Sequence, residues 1–211
     1  MTNELHLIDP ADESTFMTNP YPDNFEKVNY AFGESKGGTV EIAHLTVPDD
    51  NSTAMYNLRQ IRDLDMHRIV PPGEYTRLIV GGQFMMSDTP AEAWEHEDAY
   101  ERAEGNVLVN GLGLGFYLDA IQRKPEVENI TVVEISEGVI ELIGPHFPDV
   151  EIIHGNALKV DHDEEFDFAW HDIWPTISDD NIPAMIMLTD RYGGSSWGYD
   201  MIMEKIDEGY F

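Results

Sequence analysis

Residues 106–175 constrain this chain more than any other stretch, because their pattern repeats strand, turn and helix in an order with few solutions. Asn106–Asn110 is a short apolar run of the kind a buried parallel strand shows, and it leads into glycines at 111, 113 and 115, followed by a helical pattern over Phe116–Arg123. Glycines there permit a tight turn and a close backbone approach to a ligand. The helix that follows offers free N–H groups and the positive end of its dipole. A second apolar strand, Ile130–Val133, ends in Glu134. An acid at a second-strand tip, about twenty residues past the glycines, is placed to accept hydrogen bonds from ribose hydroxyls. Ser136–Ile143 reads as the next helix, Val150–His154 as a third strand, and Phe166–Trp170 as a fourth that delivers His171, Asp172 and Trp174 to the same edge. Ligands of open α/β sheets bind at that carboxyl edge.

Upstream, a strand is expected over Thr39–Val47, a helix over about Thr53–Asp63, and a hairpin of Glu74–Val80 and Gln83–Ser87 turning at Gly81 and Gly82. Asp88 and Thr89 then cap a helix over about Ala91–Ala103. Residues before Tyr30 read as an arm rich in turn chemistry, with Phe16, Tyr21, Phe25, Tyr30 and Phe32 available to dock on the main domain or a neighbouring subunit. The resulting division is an arm over 1–36, a small β-rich unit over 37–90 and a nucleoside-binding domain over 91–211. Beyond the fourth strand, Ser178–Asn181 caps a helix to about Arg191, Gly193 and Gly194 break it, and Trp197–Glu208 forms a last helix. About four parallel strands are therefore expected, with the sheet edge covered by the β unit, the last helices or another subunit.

Val107–Gly115, Val132–Ser136, His154–Ala157 and Phe166–Asp172 together resemble the successive motifs of class I S-adenosylmethionine-dependent methyltransferases, and within them the spermidine-synthase-like branch. The resemblance covers roughly residues 73–175. It implies an α/β, Rossmann-like class I methyltransferase fold with a shortened parallel sheet, preceded by the small β-rich unit. It also implies S-adenosylmethionine, or its decarboxylated form, as cofactor. The cofactor residues it implies are Gly111, Gly113 and Gly115 in the turn, Glu134 on the ribose, Asn156 and Ala157 at the adenine edge, and Trp174 stacking on the adenine or a cationic substrate. Asp172 matches the position that orients an attacking amine and accepts its proton, and His171 is an alternative base, its usual pKa lying near neutrality. Gln83 is the nearest counterpart of a glutamine that contacts the nucleoside in that branch. Two departures are visible: Val109 and Leu114 stand where methyltransferases and spermidine synthases, respectively, carry an acid toward the sulfonium's side chain.

Composition limits the partners. The 211 residues, 42% hydrophobic, suffice for a real core, and zero cysteines exclude disulfides and thiolate chemistry. With 41 acidic against 12 basic side chains the formal charge is −29, which repels phosphate backbones and anionic membranes. The acidity suits either a saline environment or a cationic substrate. A small-molecule substrate, a polyamine among the options, a homo-oligomer, a cytoplasmic location, and neither nucleic acid nor membrane are the expectations. Asp161–Glu165 reads as a solvated loop, and no metal is expected. Methyl or aminopropyl transfer, breakdown of the sulfonium compound, and a non-catalytic assembly role all fit the sequence.

Overall fold

The computed structural model describes residues 19–207. Phe16 and the last position of the expected C-terminal helix lie outside them. The described residues form an antiparallel sheet of four strands and a parallel sheet of five. The first contains β1 (Gly33–Glu34), β2 (Val40–Val47), β3 (Gly73–Val80) and β4 (Gln83–Ser87), in that order. The hairpin expected at Gly81 and Gly82 is present, both glycines having positive φ as such a turn requires. Between β2 and β3 runs the helix Asn51–Arg62, capped by the Asp50 side chain, which accepts from the Ser52 and Thr53 N–H groups.

The expected helix over 91–103 is two short helices, Pro90–Glu95 and Glu97–Arg102, meeting at His96. The parallel sheet follows with β5 (Gly105–Asn110), β6 (Val127–Glu134), β7 (Glu151–His154), β8 (Phe168–His171) and β9 (Ser195–Ser196). Its spatial order is β7-β6-β5-β8-β9, so the chain builds outward on one side of β5 and then crosses to the other. This is a Rossmann-like α/β sheet with its switch point between β5 and β8. Four strands were expected. The fifth is two residues long and exists because positive φ at Gly193 and Gly194 turns the chain from the helix Ile182–Tyr192 onto the edge of β8. A Cβ at Gly194 would fall 1.7 Å from the Ala169 carbonyl oxygen, so only glycine allows that approach.

Alternation along the strands divides the core. Val107, Val109, Val132, Phe168 and Trp170 belong to the large cluster on one face, while Leu108, Val133, Ala157 and Ala169 form a smaller one on the other. The described part of the arm, expected to dock through its aromatics, packs on the first face. Tyr21 and Phe25 meet Phe116 edge to face, and Phe25 is 5% exposed. Gly33–Glu34, placed in the arm by the sequence division, pairs with β2 and so joins the antiparallel sheet.

Asp88 fastens the arm to the hairpin. It is wholly buried, its carboxylate accepting from Thr76 N–H at 2.6 Å and Val28 N–H at 3.1 Å, while its carbonyl accepts from the Tyr21 hydroxyl at 2.7 Å. An Asp88→Ala variant strands both N–H donors, at about 1–3 kcal/mol for each buried unpaired group. Its melting temperature, read by circular dichroism, is expected to fall by on the order of 10 °C.

Candidate active site

Both glycine turn and fourth-strand tip are products of the switch point. Strand β5 ends at Asn110 and the chain turns through Gly111 (φ 102°), Gly113 (φ 52°) and Gly115 (φ 68°) into the helix Phe116–Ile121. Each glycine is required by a different neighbour. A Cβ on Gly111 would lie 2.0 Å from the Asp172 carbonyl oxygen, on Gly113 2.4 Å from Met86 Sδ, and on Gly115 2.4 Å from the Phe147 ring. Thus the turn is clamped between β8's exit, the hairpin and the segment before β7.

Above this turn lies a cavity of about 380 Å³, within the range of small-molecule sites. Of the residues expected to bind or react, Gly111, Gly113, Glu134, Asn156, Ala157, Asp172 and Trp174 all line it. Gly115 stands behind, as the residue that starts the helix. Glu134 is 7% exposed and joins the turn to the strand tip: its carboxylate accepts from Leu112 N–H at 2.8 Å and from Ser136 N–H at 2.7 Å. Asn156 braces its own turn, its Oδ1 accepting from Leu158 N–H at 2.9 Å, which leaves its amide N–H groups directed elsewhere. Ile135, 64% exposed, gives the mouth of the cavity an apolar lip.

His171 is placed differently from expectation. It is wholly buried and does not line the cavity; Asn110 Nδ2 donates to its Nδ1 at 2.8 Å, and its Nε2 donates to the Gly193 carbonyl at 3.1 Å. Burial lowers its pKa to about 4. With both nitrogens engaged and the ring neutral, it ties β8 to β5 and to the Gly193 turn instead of serving as a base. Gln83 is exposed at the hairpin tip and also lies outside the cavity wall.

Asp172 does face the cavity. Burial, followed by the charges of Glu95 and Glu134, pushes its carboxyl up to about 7. Glu92 stands in the same wall and was not singled out from sequence, because Thr89–Glu92 reads as a helix-capping pattern. Its carboxylate instead turns back to accept from Ser87 N–H at 3.1 Å, and burial with the nearby Glu95 charge pushes its pKa up to about 8. His96, at the junction of the two short helices, is a further lining residue that helical periodicity hides. Met86 reaches over the turn to accept from Leu114 N–H with its sulfur at 3.1 Å. Among the described lining residues there is no lysine or arginine. The described residues contain no cluster of three or more potential metal ligands, and none of their helices is long and apolar enough to cross a membrane.

No family model and no curated protein matches this chain. Solved structures do resemble it. One titled as the DhpI–SAM–HEP complex is 18% identical over 56% of this chain and 60% of its own, with a TM-score of 0.41. N-methyltransferase NodS from Bradyrhizobium japonicum WM9, in complex with S-adenosyl-L-homocysteine, is 14% identical over 47% and 56%, with a TM-score of 0.38. An S-adenosylmethionine-dependent methyltransferase from Clostridium acetobutylicum ATCC 824 is 15% identical over 48% and 44%, with a TM-score of 0.37. The chain spans about half the length of the structures it matches.

Proposed function

We propose that the protein is an S-adenosylmethionine-dependent transferase that moves a methyl group, or an aminopropyl group from the decarboxylated cofactor, to a small cationic amine. The observation that carries this reading is the shared cavity. The glycine turn, Glu134 and Asn156–Ala157 form one wall of it, and Asp172 stands in the same space.

The residues present fit the nucleoside. Each Glu134 oxygen has one backbone partner and keeps accepting capacity for a ribose diol. Ile135 and Leu158 offer apolar contact to a flat base, and the free amide N–H groups of Asn156 are available to a ring nitrogen. When bound, the sulfonium supplies the activated carbon. The protein's own part is alignment and proton handling. Asp172, pushed up to about 7, is matched to take a proton from the acceptor's ammonium at neutral pH, which frees the amine lone pair to attack.

Calorimetric titration with methylthioadenosine, S-adenosylmethionine and its decarboxylated form, in low and high salt, tests the reading. Saturable binding of at least one of them is expected, and preference for the decarboxylated form supports aminopropyl transfer. Absence of binding by all three in both salts overturns it.

A further inference from the structure

The helix Asn51–Arg62, which joins β2 to β3, is turned inside out. A surface helix ordinarily buries its apolar stripe and shows its polar one to water. Here the buried residue is Thr53, and its half-buried companions on the same side are Asn57 and Gln60. Asn57 fastens the helix to the body through Val70, its Nδ2 donating to the carbonyl at 2.9 Å and its Oδ1 accepting from the N–H at 3.1 Å. Met55, Tyr56, Leu58 and Ile61 are left between 43% and 56% exposed, and Leu64, just past the helix end, 87%. None of these residues lines the cavity. A helix of 12 residues is marginal in water by itself, since most helical stability in proteins comes from packing an apolar face. That contribution comes only when something covers Met55 and Leu58.

We infer that the face is covered by the same face of a second copy of this chain, the two helices running antiparallel about a twofold axis. Charge decides the occupant. Residues 51–62 carry Arg59 and Arg62 and no acid, in a chain with 41 acidic and 12 basic side chains, while Asp49 and Asp50 stand just before the first turn. Met55, Leu58, Arg59 and Arg62 are spaced at three and four residues and so share one side of the helix. Antiparallel pairing sets the basic last turn of each helix beside the acidic entrance of the other, with the two dipoles opposed, and twofold symmetry makes every such contact twice. A parallel pair would set arginine against arginine. Neither Arg59 nor Asp49 has an ion pair among the described residues, so both are free to meet across the axis. A nucleic acid or an anionic membrane would find two arginines there and the repulsion of the whole chain. The pairing does not depend on the nucleoside reading.

The net charge gives the pairing a signature. Two copies at −29 each repel at long range, and salt screens that repulsion, the Debye length falling from about 10 Å at 0.1 M to about 3 Å at 1 M. Apolar contact survives the salt. The pair therefore tightens as salt rises, the reverse of an association held by ion pairs alone.

Sedimentation equilibrium of the whole chain over a range of concentrations, at low and high salt, reads the association. A monomer–dimer equilibrium favoured by salt is expected. Leu58→Glu places a charge on the covered face of both copies and is expected to weaken the dimer by about 100-fold or more. Because Leu58 is exposed in the single chain, circular dichroism of dilute wild type and variant is expected to match. Arg59→Glu and Asp49→Lys each weaken pairing, whereas the double exchange keeps opposite charges opposed and restores it to within about threefold of wild type. The midpoint of the paired segments falls near Met55, and the chain has no cysteine, so Met55→Cys is expected to give a disulfide-linked dimer on mild oxidation. A chain monomeric at every concentration in both salts overturns the pairing, and slow hydrogen exchange over 51–62 in that monomer would assign the cover to the same chain. A dimer indifferent to Leu58→Glu, or one that salt dissociates, overturns it as well. A dimer that Met55→Cys leaves unlinked and the double exchange leaves weak overturns the antiparallel arrangement.

Discussion

Glu134→Ala is expected to weaken methylthioadenosine binding by about 100-fold or more, since two hydrogen bonds to a carboxylate are worth about 1.5–3 kcal/mol each. The loss has two physical parts. One is direct, the ribose diol losing its acceptor. The other is structural, because Leu112 N–H and Ser136 N–H both lose the buried carboxylate that joins the turn to the strand tip. Glu134→Gln separates them. An amide can accept from one of the two N–H groups but turns its own NH₂ toward the other, so part of the turn's bracing survives while the charge is lost. Calorimetry on both variants, with melting curves as control, is expected to rank binding as wild type, then Gln, then Ala. Equal affinity of all three would remove Glu134 from the site.

Much of this was legible because the parallel sheet writes itself in short apolar runs separated by turns. Val107–Val109 and Thr131–Val133 are buried on two faces, and each run ends where the pattern places a polar residue. The same logic places Glu134 and Asp172 at strand exits on one edge, the resemblance adds Asn156, and all three line one cavity. His171 was not, because sequence gives the position of a residue at a strand end but not which side its ring takes. Asn110 and Gly193, far apart in the chain, decide that. Glu92 and His96 were hidden for the opposite reason: each sits in a local pattern with an ordinary explanation, a capping box and a helix interior. Only packing of the helix pair against β5's neighbours turns them toward the cavity. The fifth strand escaped because two residues carry no period, and glycines that break a helix look the same whether or not the chain then pairs with a sheet.

The glycines of the turn are expected to differ sharply when replaced by alanine, and the difference follows from what each Cβ would meet. At Gly111 the obstacle is backbone, the Asp172 carbonyl oxygen at 2.0 Å, with φ at 102° where an L side chain is strained as well. Asp172 N–H also donates to the Asn110 carbonyl at 2.8 Å, so the two segments cannot separate without breaking the β5–β8 pairing at its carboxyl end. Gly111→Ala is therefore expected to lower stability by more than about 3 kcal/mol, the scale of a severe core defect, and to displace Asp172 from the cavity. At Gly113 the obstacle is Met86 Sδ at 2.4 Å, the far end of a flexible side chain, and φ of 52° lies in the left-handed region that alanine enters for about 1–2 kcal/mol. Gly113→Ala is expected to fold, with Met86 rotated off the turn and Leu114 N–H released from its weak sulfur acceptor. Urea melts of the two variants check the stability order. A Gly111→Ala protein as stable as Gly113→Ala would mean that the β5 and β8 exits are not in contact, and the cavity built on that contact would not exist in this form.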